Sequence, residues 1–154
     1  MSEKQFLLVD EQASKKLGQA LGPLLKSGDI IALYGDLGSG KTTLTRSIIR
    51  FLMKDENLTI PSPSFALVQP YEIGQQLILH VDLYRIKRPN EVEELGLFDD
   101  ENAIIFIEWP KNDPKLEAKA NWQIFLDLNP DKTGRIAKIL NKNKEIDLEK
   151  LEII

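Results

Sequence analysis

The 154-residue sequence contains no cysteine. That absence excludes a disulfide framework, a thiolate nucleophile and a cysteine-based zinc site. It also fits a cytosolic protein without proving one. The N-terminal apolar run, which ends at Val9, is too short for a signal peptide, and no stretch is long and apolar enough to cross a membrane. We therefore expect a cytoplasmic protein with no membrane contact.

The chain also lacks internal repeats, long low-complexity linkers and any excess of positive charge. Its net charge of -4 creates no overall field that would attract nucleic acid, although it does not exclude a local basic patch. Apolar residues at 42% and charged residues at 29% are ordinary for a globular protein. Since the length suits a single core, we expect residues 1–154 to form one domain.

A glycine-rich stretch, GDLGSGKT, spans residues 35–42 and matches the phosphate-loop (P-loop) pattern G-x-x-x-x-G-K-[ST]. It follows an apolar run that ends at Tyr34 and precedes residues 43–54, which have helical spacing. Glycines let the backbone approach a phosphate closely, and the amides at the start of the next helix point at the anion. In this pattern Lys41 reaches the terminal phosphates and Thr42 can ligate Mg2+. A glycine-rich surface turn is the alternative, but the flanking strand and helix favour binding of a nucleoside triphosphate.

Two helices are predicted around this loop. The first begins after Asp10, a preferred N-cap residue, and its apolar positions include Leu17 and Leu21, after which Gly22-Pro23 disturbs the spacing. We expect this helix to pack on the sheet. The predicted buried side of the helix after the loop consists of Leu44, Ile48, Phe51 and Leu52.

Apolar runs predict the strands of a mixed sheet. Residues 66–71 and 77–81 flank a short connection that contains Gly74, which predicts an antiparallel hairpin. Residues 103–107 form the most continuous apolar run, as expected for a strand covered on both faces. The fold class is therefore α/β: a P-loop NTPase-type mixed sheet, flanked by helices, with an attached antiparallel hairpin. The other predicted elements are an edge strand at 5–9, a helix at 91–97, a charged loop at 111–121, strands at 123–128 and 135–140, and a weak helix after 141.

Two prolines flank Ser62 in the segment from residue 60 to residue 65. They forbid a helix and disfavour an interior strand, so the segment is predicted to be a loop. Hydroxyl groups on such a loop, at Ser62 and Ser64, can reach Mg2+ or the terminal phosphate, as switch segments do. A plain rigid connector is equally compatible with the sequence.

Acidic residues stand at the ends of two predicted strands, Asp82 and Glu108. P-loop proteins place a carboxylate at the end of a buried strand to face Mg2+ or its water ligands. One acid could ligate Mg2+ while the other orients the attacking water, and the alternative for each is a solvated loop acid. His80, the single histidine, is expected to be structural. Packing and contact with a ligand or partner stay open for Trp109, Tyr84, Arg85 and Arg135.

Together these segments resemble a known family. The phosphate loop, SPSFALV from Ser62, HVDLYR from His80 and EWP from Glu108 occur in this order and at close spacing. By these motifs the chain is identified as a member of the TsaE (YjeE-type) family of small bacterial ATPases. The early DEQAS segment and the GR pair at 134–135 also resemble the family, so the similarity covers nearly the whole chain. Ser64 departs from the family's usual threonine but keeps the hydroxyl group.

The resemblance implies an ATPase required for the threonylcarbamoyladenosine modification of tRNA, with ATP and Mg2+ as cofactors. It further implies that the protein binds the TsaD–TsaB pair, meets tRNA only indirectly, and supports multiple rounds of modification by turning over ATP. The implied catalytic residues are Lys41, Asp82 and Glu108, and the implied metal ligands are Thr42 and Glu108. The implied nucleotide-binding residues are Gly35, Asp36, Leu37, Gly38, Ser39, Gly40, Lys41, Thr42, Thr43, Ser14 and Arg135. The implied switch or partner residues are Ser62, Ser64, Tyr84, Arg85 and Trp109.

Two other functions remain open from the sequence. A small-molecule P-loop kinase would need an acceptor pocket and usually a lid that carries arginine, but residues 111–119 contain lysines and no arginine. A nucleotide-gated binding module would hydrolyse ATP only incidentally. For the leading function we expect slow basal hydrolysis that partners stimulate, because the sequence has no evident arginine finger.

Overall fold

The computed structural model describes residues 2–36, 38–63, 67–88, 90–131, 133–143 and 145–153. Strands and helices are interspersed along the chain, and two pairs of strands follow each other directly. The strands are β1 (Ser2–Leu8), β2 (Ile30–Tyr34), β3 (Val68–Ile73), β4 (Gln76–Asp82), β5 (Ile104–Glu108), β6 (Trp122–Leu128) and β7 (Arg135–Asn141). The α-helices are α1 (Glu11–Leu21), α2 (Lys41–Leu52), α3 (Asn90–Glu93) and α4 (Pro114–Glu117), and 3-10 helices span Gly22–Leu24, Pro110–Asn112 and Leu148–Lys150.

Seven strands in the described part of the chain form one sheet, in the order β1-β7-β6-β2-β5-β4-β3. The central strands β6, β2, β5 and β4 are parallel, whereas β3 on one side and β7 and β1 on the other pair antiparallel. Every residue of β5 is buried, as its continuous apolar sequence predicts for a strand covered on both faces. The predicted mixed α/β sheet is confirmed, and so is the hairpin, which β4 attaches to β5.

Helices α1 and α2 pack against each other over one face of the sheet. The Asp10 carboxylate caps α1 by accepting a hydrogen bond from the amide of Ala13 at 2.9 Å, as predicted for this N-cap. The two helices approach closely at Gly18, because a Cβ there would lie 2.7 Å from the Cβ of Ser47. The Ser47 hydroxyl also donates to the carbonyl oxygen of Lys15 at 2.9 Å. A small residue at this crossing therefore holds the helix that follows the phosphate loop close to α1.

The boundaries and the buried face of α2 differ from the prediction. The helix begins at Lys41 and ends at Leu52, two residues before the predicted bounds at each end. Ile49 is fully buried, whereas Phe51 is 40% exposed. The prediction for Phe51 was wrong because its ring packs beside Gly22, at the end of α1, instead of turning toward the sheet.

Three further predicted elements need correction. The helix expected at 91–97 is limited to α3, and turns follow it. The segment expected to be a loop at 111–121 contains α4, which Asp113 caps by accepting from the amides of Lys115 and Leu116, both at 3.1 Å. Burial of Leu116 fixes this helix on the core, and no hydrophobic repeat long enough to predict it is present. The chain end forms a 3-10 turn at Leu148–Lys150.

Within the described ranges, no helix combines the length and apolar character needed to cross a membrane.

Candidate phosphate-binding site

The phosphate loop leaves the sheet at the carboxyl end of β2. Gly35 follows this strand with a φ of 147°, and a Cβ there would lie 2.5 Å from the carbonyl oxygen of Leu126. Glycine is required at this position because both the backbone angle and the neighbouring strand exclude a side chain. Gly40 ends the loop as the N-cap of α2. The loop thus directs the N-terminus of a 12-residue helix toward the open end of the sheet.

Lys41 is the first residue of α2 and is only 5% exposed. Its ammonium group donates to the carbonyl oxygen of Gly35 at 2.5 Å, so it folds back along the loop. On its other side the Lys41 Nζ lies 3.6 Å from the centre of the Trp109 ring, which is a cation–π contact. The lysine is therefore held between the loop backbone and an aromatic ring.

Burial lowers the pKa of Lys41 below its ordinary value of 10.5, because the charged form loses hydration. Three carboxylates oppose this shift: those of Glu108, Asp82 and Asp36. These acids stabilise the ammonium form inside a partly desolvated site. A buried cation in such surroundings is suited to bind an anion such as a phosphate group.

Glu108 and Thr42 face each other across the gap between the sheet and α2. Glu108 is the last residue of β5, and its side chain is 4% exposed. The Thr42 hydroxyl lies 3.1 Å from Glu108 Oε1 and 3.3 Å from Oε2. Glu108 Oε2 lies 2.6 Å from Nε2 of His80, which is completely buried. One carboxylate is thus shared by the helix start and by the neighbouring strand β4.

Asp82 occupies the equivalent position on the adjacent strand. It ends β4, is buried, and stands directly opposite Glu108 in the parallel register of β4 and β5. Its Oδ1 accepts a hydrogen bond from the amide of Tyr84 at 2.8 Å. The register therefore brings together the two acids that stand at predicted strand ends, although 26 positions separate them in the sequence.

Trp109 has an unusual backbone conformation and links the lysine to the surface. Its φ of 58° lies in the left-handed region, which bulky residues rarely adopt. Its ring lies 4.9 Å from the ring of Tyr84, which is 50% exposed. Arg85, next in the chain, is also exposed. An aromatic pair therefore leads from Lys41 to an exposed surface beside the site.

Arg135 reaches the loop from the start of β7. Its Nη2 donates to the carbonyl oxygen of Gly38 at 2.7 Å, although the two residues are 97 positions apart. Its Nε is buried and has no hydrogen-bond partner within the described ranges. The guanidinium group of Arg135 thus contacts the phosphate loop through Nη2 and keeps an N–H donor at Nε for a further acceptor.

A cavity of about 300 Å³ lies where these groups meet. Most of the residues predicted for the site line it, and Ser14 of α1 and the exposed Ser62 are among them. Gly35, Tyr84 and Arg85 lie outside its lining, and Leu37 and Ser64 fall outside the described residues. The lining consists of Glu11, Ser14, Asp36, Gly38, Ser39, Gly40, Lys41, Thr42, Thr43, Ser62, Asp82, Glu108, Trp109 and Arg135.

A larger groove of about 660 Å³ adjoins this cavity between α1 and α2. Glu11 and Thr43 line both spaces, so the groove continues from the cavity. Phe51 lines the groove, which explains the exposure of its ring. The groove also has charged walls, among them Lys15 and Arg50. The combined space suits a ligand with a charged end and a larger, partly apolar body.

Sequence reasoning missed the contact between His80 and Glu108. Alternation along β4 puts His80 on the same face as Asp82, and that pattern was visible in the sequence. The pairing of β4 with β5, which brings His80 to Glu108, was not visible because it depends on strand order.

The fold and the loop define the class: a P-loop α/β protein with a mixed sheet. A family model described as "Threonylcarbamoyl adenosine biosynthesis protein TsaE" matches residues 8–137. The chain therefore belongs to the TsaE family, which confirms the resemblance seen in its motifs.

Individual relatives agree with this assignment. The chain is 39% identical over 139 residues to the tRNA threonylcarbamoyladenosine biosynthesis protein TsaE of Rickettsia conorii, which covers 90% of this chain and 78% of that protein. It is 38% identical over 144 residues to the protein of the same name from Rickettsia felis, with 93% and 83% covered. A crystal structure of Bacillus subtilus YdiB is similar with a TM-score of 0.70 and 20% identity, covering 94% of this chain and 88% of that chain. At this identity the structural likeness shows the fold alone.

Proposed function

We propose that this chain is a Mg2+-dependent ATPase that supports the threonylcarbamoyladenosine modification of tRNA by acting on the TsaD–TsaB pair. The observation that carries the ATPase part is the meeting of Thr42 and Glu108, at 3.1 Å, in the cavity that also contains Lys41. The tRNA part rests on the family and on the names of the relatives from two Rickettsia species.

Phosphate binding is assigned to the loop, to Lys41 and to Arg135. The ammonium group of Lys41 is buried beside the helix N-terminus, where an anion gains from both the charge and the helix dipole. Arg135 adds a second cation that lines the same cavity and contacts the loop at Gly38. Two cations beside the same loop suit the several charges of a triphosphate.

The donor groups fit Mg2+. Mg2+ is usually held by one or two protein oxygens, with phosphate oxygens and waters completing six positions. Thr42 and Glu108 offer a hydroxyl and a carboxylate. Within the described ranges, no three His, Asp or Glu side chains are grouped to hold a metal by themselves, so a metal here would need phosphate oxygens as well. When bound, Mg2+ would neutralise charge that develops on the transferred phosphoryl group.

Asp82 is assigned to the attacking water. It is buried, lines the cavity and stands opposite Glu108, one strand farther from β2. It is the second buried carboxylate of the cavity, beside Glu108, and a carboxylate there can orient a water by accepting a hydrogen bond from it. Water orientation is what P-loop hydrolases need besides charge stabilisation.

The nucleoside part of ATP is assigned to the groove between α1 and α2. The groove meets the phosphate cavity at Glu11 and Thr43, so a single ligand could occupy both spaces. Its apolar wall at Phe51 suits a base, and polar groups on α1 suit a ribose.

Contact with the partner proteins is assigned to the surface around Tyr84 and Arg85. Tyr84 is exposed, and its ring touches Trp109, which in turn covers Lys41. A partner that binds this aromatic surface would therefore sense what Lys41 binds. Tyrosine and arginine are also residue types that interfaces favour.

The binding site is tested with Lys41→Ala, using Lys16→Ala as the matched control. Lys16 is an exposed lysine of α1 that lines neither cavity. We expect Lys41→Ala to remove detectable ATP binding in calorimetry and Lys16→Ala to bind like the wild type. Thermal unfolding checks that the Lys41→Ala protein is folded before its ATP binding is measured. Unchanged ATP binding by folded Lys41→Ala protein would refute the assignment.

The role of hydrolysis is tested in a multiple-turnover modification assay with unmodified tRNA, ATP and the TsaD–TsaB pair. We expect the wild type to raise the number of rounds and Glu108→Gln to lose this effect. If Glu108→Gln binds ATP and the pair, fails to hydrolyse ATP and still sustains repeated modification, the chain is a nucleotide-gated binding module.

A further inference from the structure

His80 is a fully buried polar side chain next to the site, and the function proposed above gives it no role beyond its contact with Glu108. Its side chain is completely inaccessible, and its Nε2 lies 2.6 Å from Glu108 Oε2. A lone histidine on a strand commonly serves packing, but this one makes a close polar contact with a proposed metal ligand.

The sheet geometry fixes which groups can meet. In the parallel register, His80 pairs with Phe106 and Asp82 pairs with Glu108. Residues two apart on a strand share a face, so the side chains of His80 and Glu108 point to the same side and meet diagonally. Both strands pair with a neighbouring strand on each side, which fixes this placement in the sheet.

The hydrogen bond also fixes the tautomer. A neutral imidazole carries one N–H, and a lone pair on Nε2 would face the carboxylate at 2.6 Å, which is repulsive. Nε2 therefore donates to Glu108 Oε2. The other nitrogen, Nδ1, is buried without a hydrogen-bond partner within the described ranges. An unpartnered buried acceptor disfavours folding, so packing alone would be served better by an apolar residue.

We propose that His80 is a positioning residue for the metal site. Its Nε2–H holds Glu108 Oε2, which keeps Oε1 directed at the Thr42 hydroxyl, 3.1 Å away. Without the N–H donor, the buried carboxylate would be free to rotate away from Thr42. This inference rests on the proposed function, since it assumes that Thr42 and Glu108 hold Mg2+. Loss of a partner that orients a metal ligand typically lowers metal affinity or activity 10–100-fold.

The test compares His80→Gln with His80→Met. The two side chains have nearly the same length and shape, but only the amide of glutamine can donate to Glu108. ADP affinity is measured by calorimetry, first in EDTA and then at increasing Mg2+. We expect both variants to bind metal-free ADP like the wild type, because neither touches the phosphate loop. We expect His80→Met to require roughly 10–100-fold more Mg2+ for half-maximal effect on ADP binding, and His80→Gln to stay near the wild type.

Equal Mg2+ dependence of the two variants would overturn the inference. His80→Phe is a second donor-free variant, and its Mg2+ requirement should match that of His80→Met. If both donor-free variants fail to fold while His80→Gln folds, the hydrogen bond serves stability and the inference is also overturned. Failure of the proposed function is distinguishable, because the wild type itself would then bind no ADP or would show no Mg2+ effect.

Discussion

Trp109 combines a left-handed backbone, a ring over Lys41 and a ring contact with Tyr84. A bulky residue in this conformation costs about 1–3 kcal/mol, which the surrounding contacts must offset. The ring occupies one side of the ammonium group that is proposed to bind phosphate. The tryptophan and a phosphate therefore compete for the same cation.

This competition predicts the effect of Trp109→Ala on ADP binding. Cation–π contacts contribute about 0.5–2 kcal/mol, so their removal should tighten metal-free ADP binding about 2- to 30-fold. Calorimetry in EDTA measures the change. Trp109→Phe keeps a ring over Lys41 and should lie between the two. Weaker binding by Trp109→Ala would mean that the ring assists the nucleotide instead of competing with it.

Three residues that line the cavity were proposed for the site from local sequence pattern alone. Lys41 and Thr42 follow from the loop pattern, and Glu108 follows from its place after a continuous apolar strand. His80 was assigned a structural role because a single histidine carries no spacing information. Its contact with Glu108 depends on which strands are neighbours.

At the scale of elements, Tyr34 connects the strand before the loop to α4. It ends β2, its hydroxyl donates to Glu117 at 2.7 Å, and its ring stacks on Phe125 of β6 at 4.4 Å. Burial, followed by the hydrogen bond to Glu117, raises the pKa of Tyr34 from 10.0 to about 12. The folded protein therefore holds this proton more tightly than the unfolded chain.

The raised pKa predicts an alkaline loss of stability. The contribution of Tyr34 is fully present below pH 10 and disappears as the pH rises through about 12. Tyr34→Phe should lose about 0.5–1.5 kcal/mol of unfolding free energy at pH 7 and show a shallower decline between pH 10 and 12. Urea unfolding across this range measures both effects. The control is Tyr84→Phe, at an exposed tyrosine, and an equal decline in Tyr34→Phe and the wild type would contradict the assignment.

The elements with strong local patterns were predicted well, and those without were not. The hairpin around Gly74 and the continuous strand β5 are confirmed. Helix α4 was missed because four residues give no periodicity, although Asp113 and Pro114 mark its start. Phe51 was misplaced because its apolar character fits either the sheet or the groove beside α1.

At the scale of the whole molecule, the C-terminal segment closes the core beyond the family match, which ends at residue 137. Leu148 is completely buried, and its amide donates to the Ser2 hydroxyl at 2.8 Å. The ammonium group of Lys4 donates to the carbonyl oxygens of Glu149 and Leu151. Strand β1 and residues 148–151 therefore stabilise each other. None of these residues lines the cavity at the phosphate loop.

This arrangement predicts that a substitution at Leu148 lowers the free energy of unfolding without changing ADP affinity. Leu148→Ala should lower the unfolding free energy by about 2–5 kcal/mol through loss of buried surface and the cavity left behind. ADP affinity of the folded variant should stay within about twofold of the wild type. A tenfold change in affinity would correspond to about 1.4 kcal/mol of binding free energy. The exposed neighbour Glu149→Ala should change neither quantity. A large loss of ADP affinity in folded Leu148→Ala protein would show that the two regions are coupled.

The expectation of one domain stays a prediction, although the described strands all join one sheet.

The sequence by itself determined the phosphate loop, the helix after it, the hairpin, the buried strand before Glu108 and the family, because each is encoded by residue type at short spacing. Only the tertiary structure decided that His80 meets Glu108, that Arg135 reaches Gly38 and that Trp109 covers Lys41. These contacts depend on strand order, register and side-chain direction, which long-range packing sets and local pattern does not.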